Sequence, residues 1–304
     1  MSALVLPERV LYFPVTPFDE RGTVATDVLD EHLASRLAHN PGAVFIACGT
    51  GEFHALSLAE YTLVVTRGVA VTDGRVPVVA GTGGPLGHAI ECARAAAAAG
   101  ADALLVMPPY LVTGPQAGLV SYVEAIAAAT ELPLIVYHRG SATLSVDSVE
   151  ALAANPRVAG FKDGVGDIAL AQEFVLAAGR SGRTDLQFFN GLLTAELSQR
   201  AYRAIGVPLY SSAVFAMAPE IANAWFEAYT AGDETRVSEL LDGFYAPLVR
   251  LRDTTPGYAV ALIKAGLDFG GLAVGGVRPP LVDPPAEHRE RLARILERGR
   301  ELVA

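Results

Sequence analysis

The chain has 304 residues, of which 51% are hydrophobic and 18% charged, so it can bury a large core and does not fall in the disordered class. Its formal net charge of −10 argues against a general nucleic-acid binder, whose footprint is basic, and against docking on anionic lipid. The two cysteines, Cys48 and Cys92, sit in neither a CxxC nor a Cys/His metal spacing, which argues against a disulfide scaffold or a zinc module. The first residues lack a basic region followed by a long apolar run, and no stretch of about 18 apolar residues is free of charge. The expectation is a cytoplasmic protein with no membrane span and no metal.

In chain order, residues 9–16 (RVLYFPVT) open a series of short apolar runs. The others are 42–50, 76–82, 101–109, 132–138, 157–163, 186–191 and 205–212. Each is too short for a helix and shows no polar alternation, as suits parallel strands buried on both faces. Helical patterns lie between them. Residues 27–39 place Val28, Leu29, Leu33 and Leu37 on one face, with His32 and His39 expected to face solvent. Residues 87–99 are alanine-rich and stop at Gly100. Residues 147–154 open with Asp147 as the expected N-cap, and 167–179 open with Asp167. Eight strands alternating with helices predict an α/β chain folded as a (β/α)8 TIM barrel. A doubly wound open sheet would usually show five or six strands, and no GxGxxG follows the first run. From about residue 219 the strand-like runs cease. The expected organisation is a catalytic barrel over 1–228 and a C-terminal helical region over 229–304 packed on it.

In such a barrel the chemistry lies at the C-terminal strand ends. Those ends carry Thr16, the CGTGE segment 48–52, Thr82, Pro108 to Tyr110, Tyr137, Lys162, Asn190 and the pair Ser211–Ser212. Of 23 basic residues only Lys162 and Lys264 are lysines. Arginine replaces lysine on most surfaces but cannot supply a neutral primary amine. Lys162 follows Gly160 and Phe161 in an apolar strand. Burial there would lower its pKa and leave an amine able to attack a ketone and form a Schiff base; the bland alternative is an ion pair with Asp163 or another carboxylate. Lys264, in the helical tail, is expected to be structural, in a capping or interface ion pair.

Tyr137 ends the preceding strand, where its phenol could carry a proton to and from an imine or enamine carbon. The CGTGE turn offers closely spaced backbone amides and the Thr50 hydroxyl, an arrangement that suits a carboxylate. Glu52 is expected to act as a helix first-turn charge rather than as an acid catalyst. His138, next to Tyr137, is a further candidate for the mouth. Neither GxSxG nor GxxxxGK[ST] occurs, which argues against an α/β-hydrolase and a P-loop enzyme.

Read together, FPVTPF (13–18), GTGEF (49–53), PPYL (108–111), VYxR (136–139), GFKDGVGD (160–167), YSSAVF (210–215), GYAV with KAG (257–266) and VRPPL (277–281) resemble the dihydrodipicolinate synthase / N-acetylneuraminate lyase family over residues 8–284. The resemblance is strongest to the branch that dehydrates and decarboxylates a deoxy-keto-hexarate. It implies that Lys162 forms the Schiff base, that Tyr137 is the proton shuttle with Thr50 orienting its hydroxyl, and that Gly49, Thr50 and Gly51 hold the carboxylate beside the ketone. It also implies that Tyr110 reaches across a dimer interface to extend the proton relay. Ser211, Ser212, Arg139 and His138 are then the candidate contacts to the substrate.

The implied reaction converts 5-dehydro-4-deoxy-D-glucarate to 2,5-dioxopentanoate, water and carbon dioxide. It needs no cofactor beyond the imine on Lys162, takes a small 2-oxo sugar acid as its only partner besides copies of itself, and is run by a homotetramer built as a dimer of dimers. The sequence departs from that branch at His138, Gly140 and Ser141, at FNGLLTAE after the seventh strand, and at TGGPLG after the third. Another 2-oxo-acid aldolase, a different sugar-acid dehydratase, and a non-catalytic sugar-acid-binding barrel are the competing readings.

Overall fold

The computed structural model describes residues 4–304. Eight parallel strands close a barrel in sequence order: β1 (Leu11–Tyr12), β2 (Ala43–Ile46), β3 (Val78–Thr82), β4 (Ala103–Val106), β5 (Leu134–His138), β6 (Val158–Asp163), β7 (Gln187–Asn190) and β8 (Leu209–Ser212), with β1 pairing back to β8. Their residues are almost all buried, because the barrel interior covers one face and the helical ring the other. The strands are shorter than the apolar runs that announce them. β1 keeps only two residues of 9–16, and Pro14, which has no N–H, follows closely behind it.

The helices form where the 3.6-residue pattern puts them, with two differences. Helix Val146–Ala153 is capped by Ser145, whose Oγ accepts from Ser148 N–H, and Asp147 sits in its first turn instead. In helix Thr26–Leu37, His32 lies on the apolar stripe with Leu29, Leu33 and Leu37 and is fully buried rather than solvated. Its Nε2 meets Tyr12 Oη at 3.0 Å, and burial pulls its pKa down to about 3, so it is neutral. Asp167 caps helix Ile168–Arg180 as expected, accepting from Leu170 N–H, and Gly100 ends helix Leu86–Ala99 in the left-handed conformation.

After β8 the chain runs through helices Val214–Met217, Pro219–Ala231 and Glu234–Leu240. A π-helical turn, Leu241–Tyr245, leads into helices Ala246–Arg252, Tyr258–Phe269 and Ala286–Val303. One hydrophobic cluster runs from Leu6 through the barrel strands to Trp225, Phe244, Leu251, Leu267 and Leu296. The barrel and the C-terminal helices therefore share a core. Among the described residues no helix is long and apolar enough to cross a membrane.

Register decides which strand-end side chains meet. Tyr137 pairs with Lys162 across β5 and β6, and Lys162 pairs with Phe189 across β6 and β7. The next residue on each strand gives the row His138, Asp163 and Asn190. Because successive side chains point to opposite faces, the first row turns into the barrel and the second towards the helices.

Candidate active site

A cavity of about 700 Å³ opens at the C-terminal end of the barrel, and Gly49, Thr50, Tyr110, Tyr137, Arg139, Lys162 and Ser211 all line it. This volume lies within the range of small-molecule sites. Lys162 is 5% exposed, and its Nζ lies 4.0 Å from the centroid of Phe13 and 4.4 Å from that of Tyr137. Among the described residues no carboxylate approaches within ion-pair distance of it. Asp163, the adjacent carboxylate, turns outward, accepting from Tyr202 Oη and from Val165 N–H. Desolvation lowers the Lys162 pKa to about 7; nearby Cys48 opposes the shift and the Arg139 charge adds to it.

Tyr137 Oη donates to Gly191 O at 2.9 Å and accepts from Arg139 Nη1 at 2.9 Å. The hydroxyl is thus held by Gly191 and Arg139, not by Thr50. Burial raises the phenol's pKa, and the Arg139 guanidinium opposes the rise. Two glycines leave room for this pair. A Cβ on Gly191 would stand 2.3 Å from Lys162 Cε, and one on Gly164 would stand 2.7 Å from Tyr137 Cε2. Both glycines follow strand ends, where a larger residue would push Lys162 or Tyr137 off its path.

Three expected contacts face elsewhere. Ser212 is fully buried and donates to Glu196 on the helical side of β8, since strand alternation sends it opposite to Ser211. His138 accepts from Leu144 N–H through Nδ1 at 2.8 Å and packs edge-on against Phe174, outside the barrel. Gly51 accepts from Thr16 Oγ1 at 2.7 Å and lies against the Ala47 backbone, beneath the turn rather than on the cavity. Gly49 and Thr50 alone represent the turn's expected carboxylate cradle at the cavity wall, joined there by His54. Tyr110 is 44% exposed, takes a left-handed backbone (φ 61°) and points its hydroxyl toward Met107 Sδ at 3.8 Å.

Glu52 is not a helix charge. It is fully buried in a left-handed conformation (φ 55°), and its Oε1 lies 2.6 Å from Lys264 Nζ. Lys264 is therefore paired within the chain, across 212 residues, a contact without any local sequence signal. The C-terminal region also supplies a cavity wall that reasoning from strand ends missed: Arg252, Tyr258, Val260, Ile263 and Leu281. Arg252 donates to Thr194 Oγ1 at 2.7 Å and to Asp253 at 2.8 Å. Only the GYAV and VRPPL segments hinted at this wall. Among the described residues no three His, Cys, Asp or Glu side chains converge as a metal site would require.

The model of the dihydrodipicolinate synthetase family matches residues 6–299. The chain is 50% identical to the probable 5-dehydro-4-deoxyglucarate dehydratase 1 of Streptomyces coelicolor, covering 99% of this chain and 96% of that one. It is 39% identical to the probable 5-dehydro-4-deoxyglucarate dehydratase of Bacillus licheniformis, covering 96% and 94%. Among solved structures it resembles a dihydrodipicolinate synthase from Oceanobacillus iheyensis, with a TM-score of 0.86, 26% identity and 95% of each chain covered.

Proposed function

The chain belongs to the dihydrodipicolinate synthetase family, and from that membership and the site geometry we propose that it acts on its substrate through a Schiff base on Lys162. The protein is a lyase that dehydrates and decarboxylates 5-dehydro-4-deoxy-D-glucarate to 2,5-dioxopentanoate, as the names of its full-length relatives at about half identity indicate. The observation that carries the mechanism is the unpaired, desolvated Lys162 amine at the cavity wall, in register with Tyr137.

In the mechanism the neutral Lys162 amine attacks the substrate ketone, and water leaves as the imine forms. The protonated imine withdraws electrons from the adjacent methylene. Tyr137 carries the proton that leaves it, and Arg139 stabilises charge that develops on the Tyr137 oxygen. The enamine electrons then expel the β-hydroxyl as water. The far carboxyl next departs as carbon dioxide, its bonding electrons running through the new double bond into the imine. Proton return and hydrolysis of the imine release the product and restore the amine. No external cofactor enters any step.

The Gly49–Thr50 turn takes the carboxylate beside the ketone, through backbone amides and the Thr50 hydroxyl. Ser211, on the cavity face of β8, and Arg139 complete the proposed contacts. Assembly as a dimer of dimers belongs to the same reading. The exposed run of Tyr110, Leu111 (95% exposed) and Val112 (62%) supports an interface beside the relay tyrosine. A reducing, cytoplasmic setting agrees with two buried free thiols, Cys48 and Cys92.

The test is borohydride reduction in the presence of pyruvate or substrate, followed by peptide mass mapping. A reduced adduct on Lys162, absent in Lys162→Arg, is the expected result; an unmodified Lys162 would overturn the mechanism. Measuring carbon dioxide against pyruvate release from the keto-deoxyglucarate separates the dehydratase from an aldolase.

A further inference from the structure

The proposed mechanism leaves unused one buried charged pair, Glu52 and Lys264, whose side chains are 0% and 1% exposed. Lys264 is the only lysine besides Lys162 in a chain that otherwise carries its positive charge on arginine. The pair joins three segments that each supply cavity wall. The first is the turn that carries Gly49, Thr50 and His54; the second is the Tyr258–Phe269 helix with Tyr258, Val260 and Ile263; the third is the strap leading to Leu281.

The contacts among them are dense. Glu52 Oε1 meets Lys264 Nζ at 2.6 Å, and Glu52 Oε2 accepts from Arg278 N–H at 2.8 Å. Lys264 Nζ donates to Gly276 O at 2.8 Å. The Phe18 ring stacks beneath both cations, with its centroid 4.2 Å from Lys264 Nζ and 4.0 Å from Arg278 Cζ. The Arg278 guanidinium ties off the far end of the turn, donating to Ala55 O at 2.7 Å and pairing with Glu60.

Two features indicate that this network sets geometry rather than adding stability alone. A buried pair contributes little net stability over an apolar pair of the same shape, because desolvation offsets the attraction. Glu52 also takes a left-handed backbone (φ 55°), which a residue with a side chain keeps only when its surroundings impose it. That backbone turns the chain directly after Gly49–Gly51, so whatever holds Glu52 also aims the amides of the turn.

We propose that Glu52 and Lys264 are positioning residues: their ion pair clamps the Gly49–Thr50 turn to the C-terminal helix and so holds the carboxylate-binding amides at a fixed distance from the opposite cavity wall. The carboxylate role of the turn rests on the functional reading above; the clamp itself does not.

The test uses the full-length protein with Glu52→Gln, Lys264→Met and the double variant. Each single variant leaves a buried partner unpaired and can fail to fold, whereas the double variant leaves no uncompensated charge. In the double variant, amide hydrogen exchange over residues 49–54 should quicken about tenfold or more. KM for the keto-deoxyglucarate should rise about tenfold, with kcat changed by less than about threefold. The pH dependence of kcat/KM should stay where wild type has it, because Lys162 is untouched. Wild-type exchange over 49–54 in the folded double variant would overturn the clamp, whatever the activity. Quickened exchange with an unchanged KM would leave the clamp standing and overturn the carboxylate role of the turn. A wild-type protein that fails to release carbon dioxide while the exchange result holds would overturn the functional reading and leave the clamp standing.

Discussion

The reactivity proposed for Lys162 follows from its surroundings. Phe13, Tyr137 and Phe189 border its ammonium position, and no carboxylate offsets the desolvation. The free enzyme's amine is therefore half-neutral near pH 7, whereas an ordinary lysine would need a pH near 10.5. The sign of the pH effect follows. Only the neutral amine attacks the ketone, so kcat/KM should fall about tenfold per unit as pH drops below about 7 and should level off above it. Steady-state rates between pH 5 and 9 check this; activity still climbing at pH 9 would place the amine in water. This lysine stood out in sequence, because a chain otherwise basic through arginine has only two lysines and Lys162 is the one at a strand end; that Lys264 is instead ion-paired with Glu52 only the structure shows. The freedom of Lys162 from Asp163 was legible only as strand alternation. The Tyr137 partners Gly191 and Arg139 were not, since Gly191 comes from another strand's end.

At the level of elements, the turns after the strands do as much as the strands. β7 ends at Asn190 and passes directly into Gly191, whose missing side chain is the space through which Lys162 extends. Gly191→Ala should therefore lower kcat by about 10²-fold through misplacement of the amine. Its cost in stability should be at least about 1–3 kcal/mol, since the added Cβ would also stand 2.8 Å from the backbone oxygen of Asp163, which cannot swing away. Kinetics together with thermal melting separate the two effects; full activity in this variant would mean that Lys162 reacts from a different position. Alternation within the same elements removed Ser212 and His138 from the cavity. A strand-end pair such as Ser211–Ser212 cannot place both members on one face, and the spacing alone already carried that constraint. The cap shift from Asp147 to Ser145 is smaller in kind, because both residues have the chemistry for it and only the backbone angles choose.

Across the whole molecule, the barrel and the C-terminal helices share one core and one cavity. Residue 228, where sequence composition placed the border between regions, lies inside helix Pro219–Ala231. Trp225, the sole tryptophan, sits on this helix, stacked on Tyr229 and edge-on to Tyr245. It is also edge-on to Tyr210 of β8, so its fluorescence reports the junction of the C-terminal helices with the barrel, while far-UV circular dichroism reports the helices of the entire chain. We expect the two signals to change at the same denaturant concentration, as one cooperative unit requires. A fluorescence transition at clearly lower denaturant would mean that the helical region melts away from an intact barrel.

Local chemistry and periodicity determined much of this protein from its sequence: eight buried runs made the barrel, and a rare strand-end lysine, a strand-end tyrosine and a glycine-rich turn marked positions that the structure brings to one cavity. Each strand run and each turn is read within a few residues along the chain, which is the range over which period and propensity act. The tertiary structure alone decided that Glu52 meets Lys264, that Arg252 and Tyr258 wall the cavity, and that Gly191 holds the Tyr137 hydroxyl. Those contacts join segments tens to hundreds of residues apart. Barrel closure and the packing of the C-terminal helices bring them together, and nothing in the neighbouring sequence encodes which distant partner will arrive.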